Sequence, residues 1–251
     1  MNVENTITIS GSPHRMISRA TYAGGDAFKK IEGNQVLFDV GFLSGILTQC
    51  GVAGFFDNLR AKPEFRPGPL AGVLLEPDQE TALQGILMSD EAVCRMVPGQ
   101  GHIVVGLEAL RRRRTTALIL TSTSEQAEVW NKALEDLLQI DDADKVQVFD
   151  RESFMAALDE WQKESDSAMW DIAPHLEPGF LIVDQMDDWP LADLRRAGRA
   201  WRPAYRLGFT NSTSDDDAAL LRHHIMGPLV FDGVRANGFY LPGQFDWQRR
   251  A

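Results

Sequence analysis

The chain has 251 residues and a formal net charge of −11 at pH 7. Its 44% hydrophobic content is typical of globular proteins and excludes a disordered or fibrous chain. No apolar run approaches the ~20 residues that cross a bilayer, and the N-terminus MNVENTITIS lacks the features of a secretory signal. Two cysteines, Cys50 and Cys94, provide neither a metal-ligand spacing nor a disulfide framework. These features predict a cytoplasmic protein with no membrane association.

The first part of the chain differs in pattern from the rest. Residues 1–68 are predicted to form a small N-terminal accessory region with one amphipathic helical stretch at 41–48. The segment AKPEFRPGP, at 61–69, has the proline and glycine content of a linker. We therefore predict an accessory region at 1–68, an α/β lobe at 69–242 and a C-terminal tail at 243–251.

From about residue 74, helical and strand patterns alternate. Helices are predicted near residues 78–88, 102–112, 125–138 and 151–163. Strands are predicted at 92–97, 117–120, 146–149, 179–183 and 205–210. This alternation is typical of a doubly wound parallel sheet flanked by helices, in which ligands bind at the carboxyl ends of the strands.

A basic run at 111–114 contrasts with the acidic average of the chain. Proteins that hold nucleic acid by its phosphates usually carry a basic surface, so the run is one candidate contact. It also follows an apolar helical stretch, and cations are favourable at a helix C-terminus. We interpret the run as a solvated helix end, and the overall charge disfavours nucleic acid as a partner.

Four segments fall at the ends of the predicted elements, and together they resemble a known family. They read LEPDQE at 75–80, VPGQGHIVVGL at 97–107, LIVDQMD at 181–187 and YRLGFTNS at 205–212. In this order they are similar to the motifs of the first RecA-like lobe of superfamily 2 helicases. The nearest resemblance is to the xeroderma pigmentosum B type and its bacterial and phage relatives, which implies a bacterial or phage-infected cell.

The second segment is similar to the phosphate loop of that family. Gly99 and Gly101 remain around Gln100, and glycines let backbone N–H groups close around phosphates. The lysine position is His102, the metal-binding hydroxyl position is Ile103, and the loop is one residue short. Isoleucine cannot bind a metal, and a neutral histidine supplies little charge. Apart from the resemblance, such a stretch is more often an ordinary strand-to-helix turn.

The first and third segments supply the other predicted nucleotide-binding residues. Gln79 stands at the position that reads adenine in the family, and Asp184 at the position that anchors Mg²⁺. The resemblance makes Asp184 the metal-site residue only if a Mg-nucleotide binds. The glutamate that polarises the attacking water is replaced by Gln185, whose amide cannot accept a proton.

Candidate nucleic-acid contacts come from two strand ends. In the family, hydroxyl-bearing residues there contact the nucleic-acid backbone, and the matching positions here are Thr121, Thr123, Thr210 and Ser212. The hydroxyls at 121–124 also suit capping of the following helix, with Ser124 just before Glu125, and we favour that role. Further on, IMGPLVF at 225–231 resembles the strand that follows in the family, and NGFYLP at 237–242 resembles the stretch leading to the second lobe.

The leading functional hypothesis is a catalytically inactive, helicase-like module that binds a protein partner or another copy of itself. It is expected to need no cofactor, or to bind Mg-ATP or ADP without hydrolysis. The chain ends at Ala251, so the second lobe and its arginine fingers are expected to be absent. The alternatives are a residual nucleic-acid or nucleotide-binding module, and an ATPase lobe completed in trans by a second chain.

Two surface features favour a protein partner over nucleic acid. Aspartates cluster at 141–144 and 215–217, although such turns are usually just solvated loops. Tryptophans are enriched at interface hot spots, and core packing is the competing role for at least two of the four that lie around the third segment. These four are Trp161, Trp170, Trp189 and Trp201.

Overall fold

The computed structural model describes residues 65–97, 99–138, 145–164, 179–200, 203–213, 216–233 and 238–239, and three strands nearer the N-terminus. These strands are β1 (Thr6–Ser10), β2 (Phe28–Glu32) and β3 (Gln35–Asp39), which form an antiparallel sheet in the order β1-β3-β2. The sequence analysis predicted no strand in this region. Its amphipathic helix at 41–48 lies outside the described residues, and the boundary at residue 68 stays a prediction.

The second sheet has seven strands with helices between them. Its strands are β4 (Glu91–Arg95), β5 (Ala117–Thr121), β6 (Val146–Asp150), β7 (Phe180–Val183), β8 (Tyr205–Thr210), β9 (Leu229–Asp232) and β10 (Gly238–Phe239). The helices are α1 (Pro77–Leu87), α2 (His102–Arg113), α3 (Ser124–Ala133), α4 (Arg151–Glu164), α5 (Leu191–Ala200) and α6 (Asp217–Met226).

The strand order in this sheet is β10-β9-β4-β8-β7-β5-β6. The six strands from β9 to β6 are parallel to their neighbours, and only β10 pairs antiparallel, with β9. Helices lie on both faces, so the predicted RecA-like doubly wound α/β fold is confirmed. The antiparallel strand at one edge was not predicted. None of the helices in the described part of the chain is long and apolar enough to span a membrane.

The two faces of the sheet belong to two separate hydrophobic clusters. Along β5, Leu118 and Leu120 pack into one cluster, while Ala117 and Ile119 pack into the other. The first cluster takes side chains from α4, α5 and α6, and the second takes them from α1, α2 and α3. Successive residues of a strand point to opposite faces, so a strand covered on both sides is apolar throughout. This explains why the apolar runs predicted these strands well.

Two sequence interpretations need correction, and the structure decides between the two roles left open for Trp189. The helix predicted to run to residue 138 is α-helical only to Ala133 and ends in a π-helical turn, Leu134–Leu138. Residues 225 and 226, compared above with a strand, form the last turn of α6, a helix that was not predicted. Trp189 is fully buried in the core, so it is not an interface residue of the described surface. The side chains of Trp161, Trp170 and Trp201 lie outside the described residues.

The basic run at 111–114 ends helix α2, as predicted, but most of it is engaged rather than solvated. Arg111 and Arg112 bind the carboxylate of Glu108 one turn earlier. Arg113 donates to the carbonyls of residues 86 and 89, and its guanidinium lies 4.0 Å from the ring centre of Tyr205. Arg114 follows in the left-handed conformation as the C-cap. Arg113 therefore joins the end of α2 to α1 and β8, while Arg112 and Arg114 are exposed.

Gly106 lets two helices approach closely. A Cβ atom at this position of α2 would lie 2.7 Å from Cη2 of Trp130 on α3 and 3.2 Å from Cε2 of Phe209 on β8. Both rings are buried and part of the same cluster. A side chain at residue 106 would therefore force α2 away from α3 or from the sheet.

We expect Gly106→Ala to lower the free energy of unfolding by about 1–3 kcal/mol, the usual cost of overpacking a core. In an unhindered helix the same change normally stabilises by roughly 0.5–1 kcal/mol. Denaturant unfolding measures the difference. Gly68→Ala is the matched control, because no atom lies within 4 Å of a Cβ there. A Gly106→Ala variant at least as stable as the parent would contradict this packing.

Glu108 is expected to contribute to the loss of stability in acid. Burial raises the pKa of its carboxyl, but hydrogen bonds and charge from Arg111 and Arg112 outweigh burial and hold it below the ordinary 4.5. A carboxyl with a depressed folded-state pKa stabilises the protein above pH 4.5, and this contribution disappears as the pH falls through the folded-state pKa. Glu108→Gln should therefore cost about 1 kcal/mol at pH 7 and flatten the acid limb.

The measurement is the free energy of unfolding as a function of pH, from neutral down to about pH 3. Glu128→Gln, at an exposed position of α3, removes the same charge and serves as the control. An acid limb that Glu108→Gln leaves as steep as in the parent would contradict the assignment.

Candidate functional site

The predicted nucleotide-binding residues come together at one end of the sheet. The loop at 96–101 leaves the carboxyl end of β4 and enters α2, while Asp184 follows β7 and residues 210–212 follow β8. Gly99 and Gly101 have φ angles of +90° and +77°, a conformation that other residues rarely adopt. A Cβ on Gly101 would also lie 2.5 Å from Nε2 of Gln79. Both glycines are therefore required by the loop itself.

The side chains of Gln100 and Gln79 form hydrogen bonds with the backbone of this loop. Oε1 of Gln100 accepts from the backbone N of Val97 at 2.9 Å, and its Nε2 donates to the carbonyl of Gly233 at 3.4 Å. Gln79 donates from Nε2 to the carbonyl of Gln100 at 3.0 Å and accepts at Oε1 from the backbone N of Glu76. The amide predicted to read adenine thus joins α1 to the loop and is bonded at both ends.

Asp184 is withdrawn from solvent, with 2% of its surface exposed. Its Oδ2 accepts a hydrogen bond of 2.8 Å from the indole Nε1 of Trp130, a residue of α3. Nε2 of His102 lies 3.3 Å from Oδ2 and 3.2 Å from Oδ1. Oδ1 has no hydrogen-bond partner among the described residues. The carboxylate that resembles a metal anchor is therefore surrounded by groups of this chain.

Trp130 is a site residue that the sequence analysis did not identify. Its ring is fully buried between α2 and α3, and the His102 ring packs edge-on against both Trp130 and Phe209. Trp130 falls within the helix predicted at 125–138, whose apolar residues recur on or near one stripe. A buried indole usually finds an acceptor for its N–H, which was the available signal that a polar group lies beneath that stripe.

The described residues, as arranged, do not fit a magnesium-bound nucleotide. Asp184 already accepts from Trp130, lies beside His102 and is almost without solvent, whereas Mg²⁺ keeps several waters and takes oxygen ligands. Ile103 offers no oxygen at the position of the metal-binding hydroxyl. Within the described part of the chain, no group of three or more His, Cys, Asp or Glu could hold a metal. Oδ1 of Asp184 alone does not make a site.

Asp187 links the third segment to the fourth. Gln185 has a φ angle of +46° and precedes the short 3₁₀ turn Met186–Asp188. Asp187 accepts from the hydroxyl of Thr210, and its Oδ2 lies 3.4 Å from the backbone N of Ser212. Arg222 of α6 donates to the carbonyl of Asp187 at 3.0 Å. These contacts fix the position of the two strand ends relative to each other.

The hydroxyls that follow β5 serve the fold locally. The side chain of Thr121 is buried and donates to the carbonyl of Thr123 at 2.9 Å. Oγ1 of Thr123 accepts from the backbone N of Gln126, and the Gln126 amide oxygen accepts in return from Thr123. This is a capping box. The capping role is therefore confirmed, but the cap residue is Thr123 and not Ser124.

Carboxylates lie at the N-termini of α3 and α4, the helices that follow β5 and β6. Hydrogen bonds from its own backbone N–H and from the Thr123 and Ser124 hydroxyls lower the pKa of Glu125 in α3. At the start of α4, burial raises the pKa of Asp150, but hydrogen bonds from the backbone and hydroxyl of Ser153 outweigh it and lower that pKa. Helix N-termini attract anions, and here these carboxylates already take that role.

The chain matches no protein-family model and no curated protein. A crystal structure of the UvsW helicase from bacteriophage T4 is 12% identical, with a TM-score of 0.53, and the match covers 89% of each chain. A second T4 UvsW crystal structure is 13% identical at the same TM-score, and the match covers 89% of this chain but 51% of that one. Residues 69–251 are about 73% of this chain, so the match includes part of residues 1–68.

At this level of identity, the likeness concerns the fold alone. It supports the α/β fold described above, a mainly parallel sheet with helices on both faces. The roles predicted for the site residues as ligand contacts stay predictions. The chain has the helicase-type RecA-like α/β fold.

Proposed function

We propose that this chain is a helicase-like module that does not hydrolyse ATP and acts by binding a protein partner or a second copy of itself. The observation that carries the proposal is the engagement of Asp184 by Trp130 and His102. A carboxylate held in this way is not available to anchor a metal. Within superfamily 2, the segment YRLGFTNS at 205–212 favours a relationship to the xeroderma pigmentosum B type.

Loss of hydrolysis is supported at three further positions of the same site. His102 replaces the phosphate-binding lysine and is turned toward Asp184. Ile103 lacks the hydroxyl that assists the metal, and Gln185 lacks the carboxylate that would accept a proton from water. Any one of these changes weakens phosphoryl transfer, and together they remove the charge on which it depends.

A protein partner is favoured over nucleic acid by charge and by the use of the candidate contact residues. The net charge is −11, and the α3 and α4 N-termini carry Glu125 and Asp150. The hydroxyls of Thr121 and Thr210 and the cap at Thr123 are engaged within the chain. Phosphate groups would therefore meet carboxylates at helix ends where they would otherwise meet N–H donors.

One observation favours a second candidate function, nucleotide binding without hydrolysis. The N-cap of α2 is Gly101, which has no side chain to cap the first-turn N–H groups. No acidic residue lies in that first turn either. A glycine loop that leads into an uncapped helix is suited to a phosphate group even without a metal.

We expect no phosphate release by the purified chain and no thermal stabilisation by millimolar Mg-ATP. A ligand that binds only the folded state at ~100 times its Kd adds about 2.7 kcal/mol, which would raise Tm by several degrees. Steady phosphate release that Asp184→Ala abolishes would contradict the proposal. Stabilisation by ADP that is the same with and without Mg²⁺, and with no hydrolysis, would support the second candidate.

Fluorescence anisotropy with a DNA duplex and a single strand tests the partner class. We expect weak binding that disappears between about 50 and 200 mM salt, as for any non-specific phosphate contact. Light scattering over a range of concentrations reports self-association in the same buffers. Submicromolar DNA binding at physiological salt would contradict a protein-binding role, because it requires phosphate contacts that the acidic helix ends oppose.

A further inference from the structure

We propose that Trp130 is a positioning residue that makes Asp184 an internal structural acceptor, so that this edge of the lobe is held together without nucleotide. The inference deepens the proposed function, because it identifies what takes the place of the missing ligand. It also predicts a measurable coupling between two residues that are 54 positions apart in the chain.

The hydrogen bond joins two elements through the core. Trp130 projects from α3 and Asp184 ends β7, and both are almost without solvent exposure. Nε1 and Oδ2 are 2.8 Å apart, the usual length of a charge-assisted hydrogen bond. In surroundings that exclude water, such a bond is stronger, and losing either partner leaves a buried polar group unsatisfied.

Neighbouring residues leave space for the indole ring of Trp130 and pack against it. Gly106 provides the space, since a Cβ there would lie 2.7 Å from the Trp130 ring. His102 packs edge-on against Trp130, with its ring centre 6.4 Å away, and lies against the same carboxylate. Three elements, α2, α3 and β7, therefore meet at Asp184.

A second tryptophan shows that burial alone does not provide an acceptor. Trp189 is as fully buried as Trp130, yet its Nε1 has no hydrogen-bond partner among the described residues. The indole of Trp130 is thus distinguished by its carboxylate partner and not by its depth. Trp189→Phe is the matched control, because it removes a buried indole without breaking a described hydrogen bond.

The test is a double-mutant cycle with Trp130→Phe, Asp184→Ala and the double variant, followed by thermal unfolding in buffer without nucleotide. Each single change should lower Tm by about 3–10 °C, and the double variant should fall clearly less than the sum of the two. Trp189→Phe should lower Tm less than Trp130→Phe. Decreases that add within about 1 °C would overturn the proposal.

Nuclear magnetic resonance supplies a readout that packing alone would not move. The indole N–H signal of Trp130 should exchange slowly with solvent in the unmodified protein, and it should shift and exchange faster in Asp184→Ala. If the variants do not fold, slow exchange of this N–H with a downfield, carboxylate-bonded shift in the unmodified protein decides for the proposal. Fast exchange or an undisplaced signal decides against it.

Both measurements are made on the protein without nucleotide and without a partner. Additive Tm decreases would therefore overturn the role of Trp130 while leaving the proposed loss of hydrolysis to the phosphate-release assay. Phosphate release together with strong coupling would overturn the proposed function and keep the contact.

Discussion

Removing a carboxylate from water costs several kcal/mol unless donors replace the lost solvent, and Oδ2 of Asp184 accepts such a bond inside the protein from Trp130 on α3. His102 on α2 lies beside the same carboxylate, while the backbone N–H of Asp184 joins the end of β7 to Leu120 of β5. The approach of the two helices in turn requires Gly106. The arrangement of this whole edge therefore depends on how one carboxylate is satisfied.

Other polar groups at the carboxyl ends of the strands are also hydrogen-bonded within the chain. The loop that enters α2 is tied by Gln79 and Gln100, and the strand ends after β7 and β8 are tied by Asp187 and Thr210. In a ligand-binding edge, such groups would be satisfied partly by the ligand. Here these groups bond to one another. One hydrophobic cluster on each face of the sheet also stabilises the fold.

The sequence was most informative where neighbouring residues share one environment. The apolar runs at β5 and β7 predicted strands because every residue there is buried on one face or the other. It was least informative at residues 225–226, where an apolar pair next to Gly227 and Pro228 suits either a strand or a helix end. The sequence left interface and core roles open for Trp189, because a tryptophan's burial depends on elements that pack against it from elsewhere in the chain.

At the site, residue types could be predicted but their partners could not. Gly99 and Gly101 were identified through their resemblance to a phosphate loop, and both have positive φ angles that favour glycine. The Gln79–Gln100 bond spans 21 residues and the Trp130–Asp184 bond spans 54, and no local pattern encodes either pair. The sequence thus indicated how His102 and Ile103 differ from the motif they resemble, without indicating the hydrogen-bond partner of Asp184. Retention of one residue of a motif is compatible with a structural role, and its hydrogen-bond partners distinguish that role from a catalytic one.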